Sequence, residues 1–191
     1  MRKVIYLFIL SVLLLSCQTN SRYTIQGVVE NKSFEGSPVY MQQMTDDAMV
    51  TTDTTVVLNG TFSFSGVADT AVLRFIALDE SIQPQQASRA PVLIEPGTIT
   101  IAFDSLVTVR GTASNNAYSD LRERQRELNT SLRQIAEQYN SARQAGTMSE
   151  TTEAEVRGEY ERIHGELVEL NLDYARKNMN NELGRHHFMT S

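Results

Sequence analysis

The stretch TTVVLNGTFSF, residues 54–64, decides how the first half of the chain is read. Two β-rich runs flank Asn59-Gly60, the residue pair that best tolerates positive φ at both centres of a type I′ turn. A two-residue hairpin there pairs Val57 with Phe62 and Thr55 with Phe64. It also sends both phenylalanines to one face, into a core.

Working outward, residues 22–111 keep the same short period. YTIQGVV alternates, and SPVYM follows a polar turn around Glu35-Gly36. AVLRFIAL, residues 71–78, is apolar at most positions and reads as a strand buried on most of both faces. APVLIEPGTITIAF supplies two more strands joined by Glu95-Pro96-Gly97, with Pro and Gly in favourable turn places. Residues 106–110 close the set. About seven short strands at close spacing predict an antiparallel sandwich or barrel. Residues 81–89, SIQPQQASR, are polar and read as a loop.

Beyond residue 112 the period changes. Tyr118, Leu121, Gln125, Leu128, Leu132, Ile135, Tyr139 and Ala142 are spaced by threes and fours, a heptad seam with one polar break at Gln125. This helix ends near Gly146. Thr152 with Glu155 fits a capping box for a second helix. Its seam is Val156, Tyr160, Ile163, Leu167, Leu170 and Tyr174. Each helix is about 28 residues, roughly 40 Å long. Equal lengths and a short loop predict an antiparallel helical hairpin. Gly158 and Gly165 weaken the second helix by about 1 kcal/mol each relative to Ala. The fold class expected is therefore α+β: a β-sandwich or barrel over residues 22–112, a helical hairpin over 113–180, and a tail or the start of a further domain over 181–191.

The N-terminus carries a different signal. Arg2 and Lys3 precede the apolar run VIYLFILSVLLL, which ends at Ser16 and Cys17. A basic start, an apolar run of about a dozen residues and a small residue make a secretory signal peptide over residues 1–16. The run is shorter than the ~20 residues needed to span a membrane. Leu14-Leu15-Ser16-Cys17 resembles the bacterial lipobox. That resemblance implies a diacylglyceryl group on the Cys17 thiol, acylation of the new N-terminus by palmitate-like chains, and a short linker over residues 17–21. Cys17 is the sole cysteine, so a disulfide within the chain has no second partner. No Asp follows Cys17 directly and no acidic cluster follows it, which by resemblance to lipoprotein sorting rules points to the outer membrane, facing the periplasm.

Composition narrows the function. The formal net charge of −6 becomes −8 once Arg2 and Lys3 leave with the signal peptide. Such a chain suits neither nucleic acid nor anionic lipid, which require clustered Lys and Arg. No G-x-S-x-G elbow and no G-x-G-x-x-G or phosphate loop occurs. His186-His187 has no ligand set around it and reads as a surface or tail pair; adjacent residues point apart in a strand and lie about 100° apart on a helix. His164 reads as solvated. Asp46-Asp47 and Asp79-Glu80 are acids at loop edges, without the facing geometry that glycosidases use. Tyr118, Tyr139, Tyr160 and Tyr174 sit on the seams and read as packing, although exposed tyrosines also suit a partner surface.

YTIQGVVEN, DTTVVLNGTFSFSG, VLIEPGTITIAFD and VRGTASNNAYSDL together resemble the domain of unknown function 4369, found in Bacteroidetes-type envelope lipoproteins, from Tyr23 to about Leu128. In that family the β domain often precedes a thioredoxin-like or peroxiredoxin-type domain. No C-x-x-C is present here, and a lipidated Cys17 has no thiol for redox work, so no catalytic residue carries over. The expectations are a lipid-anchored, non-enzymatic interaction or accessory module with an envelope protein partner, held to the membrane through Cys17. No cofactor, metal or catalytic residue is expected. The alternatives are the accessory part of a thiol–disulfide oxidoreductase and a sandwich binding glycan or peptide, with residues 81–89 as the first loop to consider.

Overall fold

The computed structural model describes residues 21–82 and 88–190. Eight strands form two sheets. β1 (Arg22–Val29), β4 (Thr61–Val67), β7 (Gly97–Phe103) and β8 (Val107–Arg110) make one, in the order β4-β1-β7-β8. β2 (Pro38–Met44), β3 (Met49–Val56), β5 (Val72–Leu78) and β6 (Arg89–Ile94) make the other, in the order β3-β2-β5-β6. The sheets are mostly antiparallel, as the sequence predicts, with one parallel pair: β1 runs alongside β7 with Ile25 opposite Ile99.

Strand periodicity builds the core between them. Ile25, Phe62, Phe64, Ile99, Ile101 and Phe103 point inward from the first sheet. Val39, Met41, Ile76, Leu78, Val92 and Ile94 meet them from the second. Each such side chain contributes about 1.5–3 kcal/mol of burial. Gly27 lets the layer close. It lies opposite Phe62 in the β1–β4 ladder, and a Cβ there would stand 2.0 Å from the Phe62 ring.

The Asn59-Gly60 turn forms as expected. Asn59 has φ 54° and Gly60 φ 70°, and Leu58 and Thr61 exchange both backbone hydrogen bonds at 2.8 and 3.1 Å. The ladder expected beyond it does not form. Pairing stops at Leu58–Thr61, since β3 joins β2 and β4 joins β1 in the opposite sheet. The turn is a corner between sheets rather than the tip of a hairpin. Other partners take the backbone groups: the Val57 carbonyl accepts from Gly36 at 2.9 Å, and the Val57 amide donates to Ser37 at 3.0 Å. The Glu35 carboxylate clamps the corner, accepting from the amides of Asn59 (2.8 Å) and Gly60 (3.0 Å). Phe62 and Phe64 are buried side by side, ring centroids 6.1 Å apart, as the alternation requires.

α1 (Ala113–Gln144) and α2 (Glu150–Asn178) form the predicted pair, packed along their seams. α2 runs unbroken through Gly158 and Gly165. Its cap lies one turn before the predicted box: the Ser149 hydroxyl accepts from the Thr152 amide at 3.1 Å. The polar break in the first seam is answered from the second helix, where Asn171 Oδ1 accepts from Gln125 Nε2 at 2.6 Å. An Arg124–Glu166 ion pair also crosses the hairpin. The seam is closed near the sandwich, where Leu121, Leu128, Ile163 and Tyr174 are buried, and open near the loop, where Tyr160 is 45% exposed.

Residues 182–190 form a third helix, α3 (Glu182–Thr190), which lies on the outer face of β5 and β6. Leu183 is fully buried. The Glu182 carboxylate accepts from the Leu73 amide at 2.6 Å, where the pairing of β2 with β5 has already ended. This helix is what covers the second face of β5.

Gly27→Ala is expected to lower stability by about 1–3 kcal/mol, because Phe62 must leave its position. Urea denaturation followed by circular dichroism measures this; an unchanged midpoint would show that Phe62 repacks without cost.

Candidate functional site

Side chains that carry chemistry gather where the hairpin meets the sandwich. Leu93 lies on the edge strand β6, and the Asn115 side chain completes that edge. Its Oδ1 accepts from the Leu93 amide at 3.0 Å and its Nδ2 donates to the Leu93 carbonyl at 2.8 Å. The same Nδ2 reaches the Thr112 hydroxyl at 2.7 Å. Glu95, in the predicted turn, accepts from the amide (3.1 Å) and hydroxyl (3.0 Å) of Ser114. A carboxylate at a helix N-terminus also complements the helix dipole.

One turn further along α1, Tyr118, Tyr174 and His187 form an aromatic cluster with ring centroids 5.3–6.0 Å apart. His187 is 4% exposed, and its Nε2 lies 2.9 Å from Asn171 Oδ1. A carbonyl oxygen only accepts, so Nε2 carries the proton and donates. Asn171 Oδ1 thus takes hydrogen bonds from two elements, α1 through Gln125 and α3 through His187. Burial pushes the His187 pKa below the ordinary histidine value, helped by the positive charge of Arg122 and by His186. Burial raises the Tyr174 hydroxyl, with Tyr118 adding to the shift, and among the described residues that hydroxyl has no hydrogen-bond partner.

The reading of His186-His187 as a surface pair is corrected here. α3 turns His187 into the aromatic cluster and His186 onto the Phe75 ring, centroids 5.3 Å apart. The two rings meet different neighbours. Among the described residues no group of three His, Cys, Asp or Glu side chains could hold a metal ion. His164 is exposed and stacks on Tyr160 at 6.1 Å.

The acidic pairs do local work. Asp79 accepts from the amide (3.0 Å) and hydroxyl (2.7 Å) of Ser81, which lowers its pKa. Glu80 pairs with Arg89 at 3.0 Å. Asp46 and Asp47 are exposed in the β2–β3 turn. Cys17, the expected lipidation site, lies outside the described residues, as do residues 83–87 of the polar loop. The seam tyrosines divide: Tyr118 and Tyr174 belong to the junction, whereas Tyr139 and Tyr160 line a groove of about 360 Å³ between the helices near the loop, with Ile135 and Val156. Asn115 and Asn171 carry no motif that marks them in the sequence, whereas His186-His187 stands out there as an adjacent pair.

The junction titrates with a definite sign. His186 and His187 both have folded pKa values below the ordinary histidine value. Above about pH 7.5 they are neutral in both folded and unfolded chains. As pH falls below that, the unfolded chain takes up protons first, so stability declines until the folded pKa values are passed. Urea midpoints at pH 7.5 and pH 5 are expected to differ less in His186→Gln/His187→Gln than in the parent chain; an identical pH slope would contradict this.

No curated protein matches the chain. The family model described as a domain of unknown function (DUF4369) matches residues 23–118, the sandwich but for Arg22 together with the start of α1 that holds Ser114, Asn115 and Tyr118. The protein therefore belongs to the DUF4369 family.

Proposed function

We propose that the protein is a lipid-anchored, non-enzymatic interaction or accessory module of the cell envelope. The observation that carries this reading is the sequence before the fold: Arg2-Lys3, an apolar run, and Cys17 at the cleavage position of a lipobox-like tetrad. Two or more acyl chains on Cys17 hold a protein stably at a membrane, at about 0.8 kcal/mol per buried CH₂. The outer membrane, facing the periplasm, is the location that the residues after Cys17 favour.

The fold is consistent with a module that presents surfaces. Three polar side chains at the junction are engaged in structural hydrogen bonds: Asn115 with Leu93, His187 with Asn171, and Glu182 with Leu73. The open end of the helical seam, with Tyr139 and half-exposed Tyr160, offers an apolar surface with the tyrosine content typical of protein interfaces. An envelope protein is the partner this surface suits.

Membrane fractionation and intact mass of Cys17→Ser test the anchor. The parent chain is expected in the membrane fraction with the mass of a diacylglyceryl adduct on Cys17. The variant is expected to lose the adduct and the membrane association together. An unmodified parent chain would end the proposal.

A further inference from the structure

We propose that the cleft between the edges of β6 and β8 and the part of α1 from Tyr118 to Arg126 binds a small amphipathic oxyanion, a phosphate or carboxylate carried on a short apolar body, through Arg122 and Arg126. The cleft encloses about 250 Å³. Arg122 and Arg126 stand one helical turn apart on the same face of α1 and both line it. Among the described residues no acidic one lines it.

Charge makes this unusual in a chain of net charge −6. Arg124, between the two, pairs with Glu127 and Glu166. Further along the helices Arg133 pairs with Glu137, Arg157 with Glu153, and Arg162 with Glu159. Arg122 donates to the Gln125 side-chain oxygen at 3.0 Å, and neither Arg122 nor Arg126 forms an ion pair among the described residues. Two like charges at i and i+4 repel each other and weaken a helix. An oxyanion bridging them removes that repulsion and takes several of their donors in the fork geometry that suits phosphate and carboxylate. Across the mouth, Arg89 adds a third guanidinium, already tied to Glu80.

The floor says what else the ligand carries. Pro91 from β6, and Leu106, Val107 and Val109 around β8, present apolar atoms below the arginines. Leu106 is 47% exposed, so covering it removes apolar surface from water. A bare inorganic ion would leave that floor wet, whereas a body of a few carbons fills it. The assignment does not depend on the lipid anchor, since every residue in it belongs to the folded part.

Isothermal titration of butyl phosphate and of butyrate into the full chain tests it, whether or not Cys17 carries a lipid. At least one of the two is expected to bind saturably, and the tighter one names the head group. Arg122→Gln and Arg126→Gln are each expected to weaken it about tenfold, the loss of a charge-assisted hydrogen bond. Helix content by circular dichroism should stay unchanged. Leu106→Ser should weaken the tighter of the two. Failure of both ligands to saturate the parent chain overturns the proposal whatever the variants do, and so does undiminished binding to folded Arg122→Gln/Arg126→Gln.

Discussion

The structure turns on the pair of hydrogen bonds between the Asn115 side chain and the Leu93 backbone. A primary amide has the donor and acceptor of a peptide group, so Asn115 pairs with the edge strand as one residue of a neighbouring strand would. Asn115 is 1% exposed and Leu93 is fully buried. Water therefore cannot replace the bond, and each buried group left unpaired costs about 1–3 kcal/mol. Residues on either side extend the lock. Ser114 is held by Glu95, and Asn116 Oδ1 accepts from the Gly111 amide at 2.9 Å. Three consecutive side chains thus fix where α1 leaves the sandwich and in which direction.

Everything beyond inherits that direction. With the base of α1 fixed, Tyr118 and Gln125 face α2, and Asn171 and Tyr174 return to meet them. The end of α2 then delivers α3 to the outer face of β5, where Glu182 satisfies the Leu73 amide and His187 closes on Asn171. The far end of the hairpin has no such support, and its seam stands open. The same placement of α1 makes the arginine-lined cleft, because one wall of that cleft is the helix and the other two are strand edges.

Much of this was legible in the residues. Alternation placed the strands, and three-four spacing gave both helices with their seams. The NG pair gave the turn. What alternation could not supply was the identity of each strand's neighbour. A type I′ turn serves a hairpin and a sheet-to-sheet corner equally, and the decision rested on Val57 finding Gly36 and Ser37, twenty residues away in sequence. The parallel contact of β1 with β7 has the same long-range origin. In the junction, Tyr118 and Gln125 were visible as seam positions. Asn115 looked like an ordinary polar residue near a helix start, because a side chain that mimics a peptide group leaves no periodic trace. His187 was read as exposed since α3 is nine residues long, too short to show a clear apolar stripe.

The sandwich and the hairpin are joined at Leu93. Amide hydrogen exchange at Leu93 in Asn115→Ala tests this most directly. The account predicts that the Leu93 amide, protected in the parent chain, exchanges far faster in the variant, with a loss of about 1–3 kcal/mol in overall stability. Unchanged protection at Leu93 would contradict it, and would mean that the helix is held to the sandwich by packing alone.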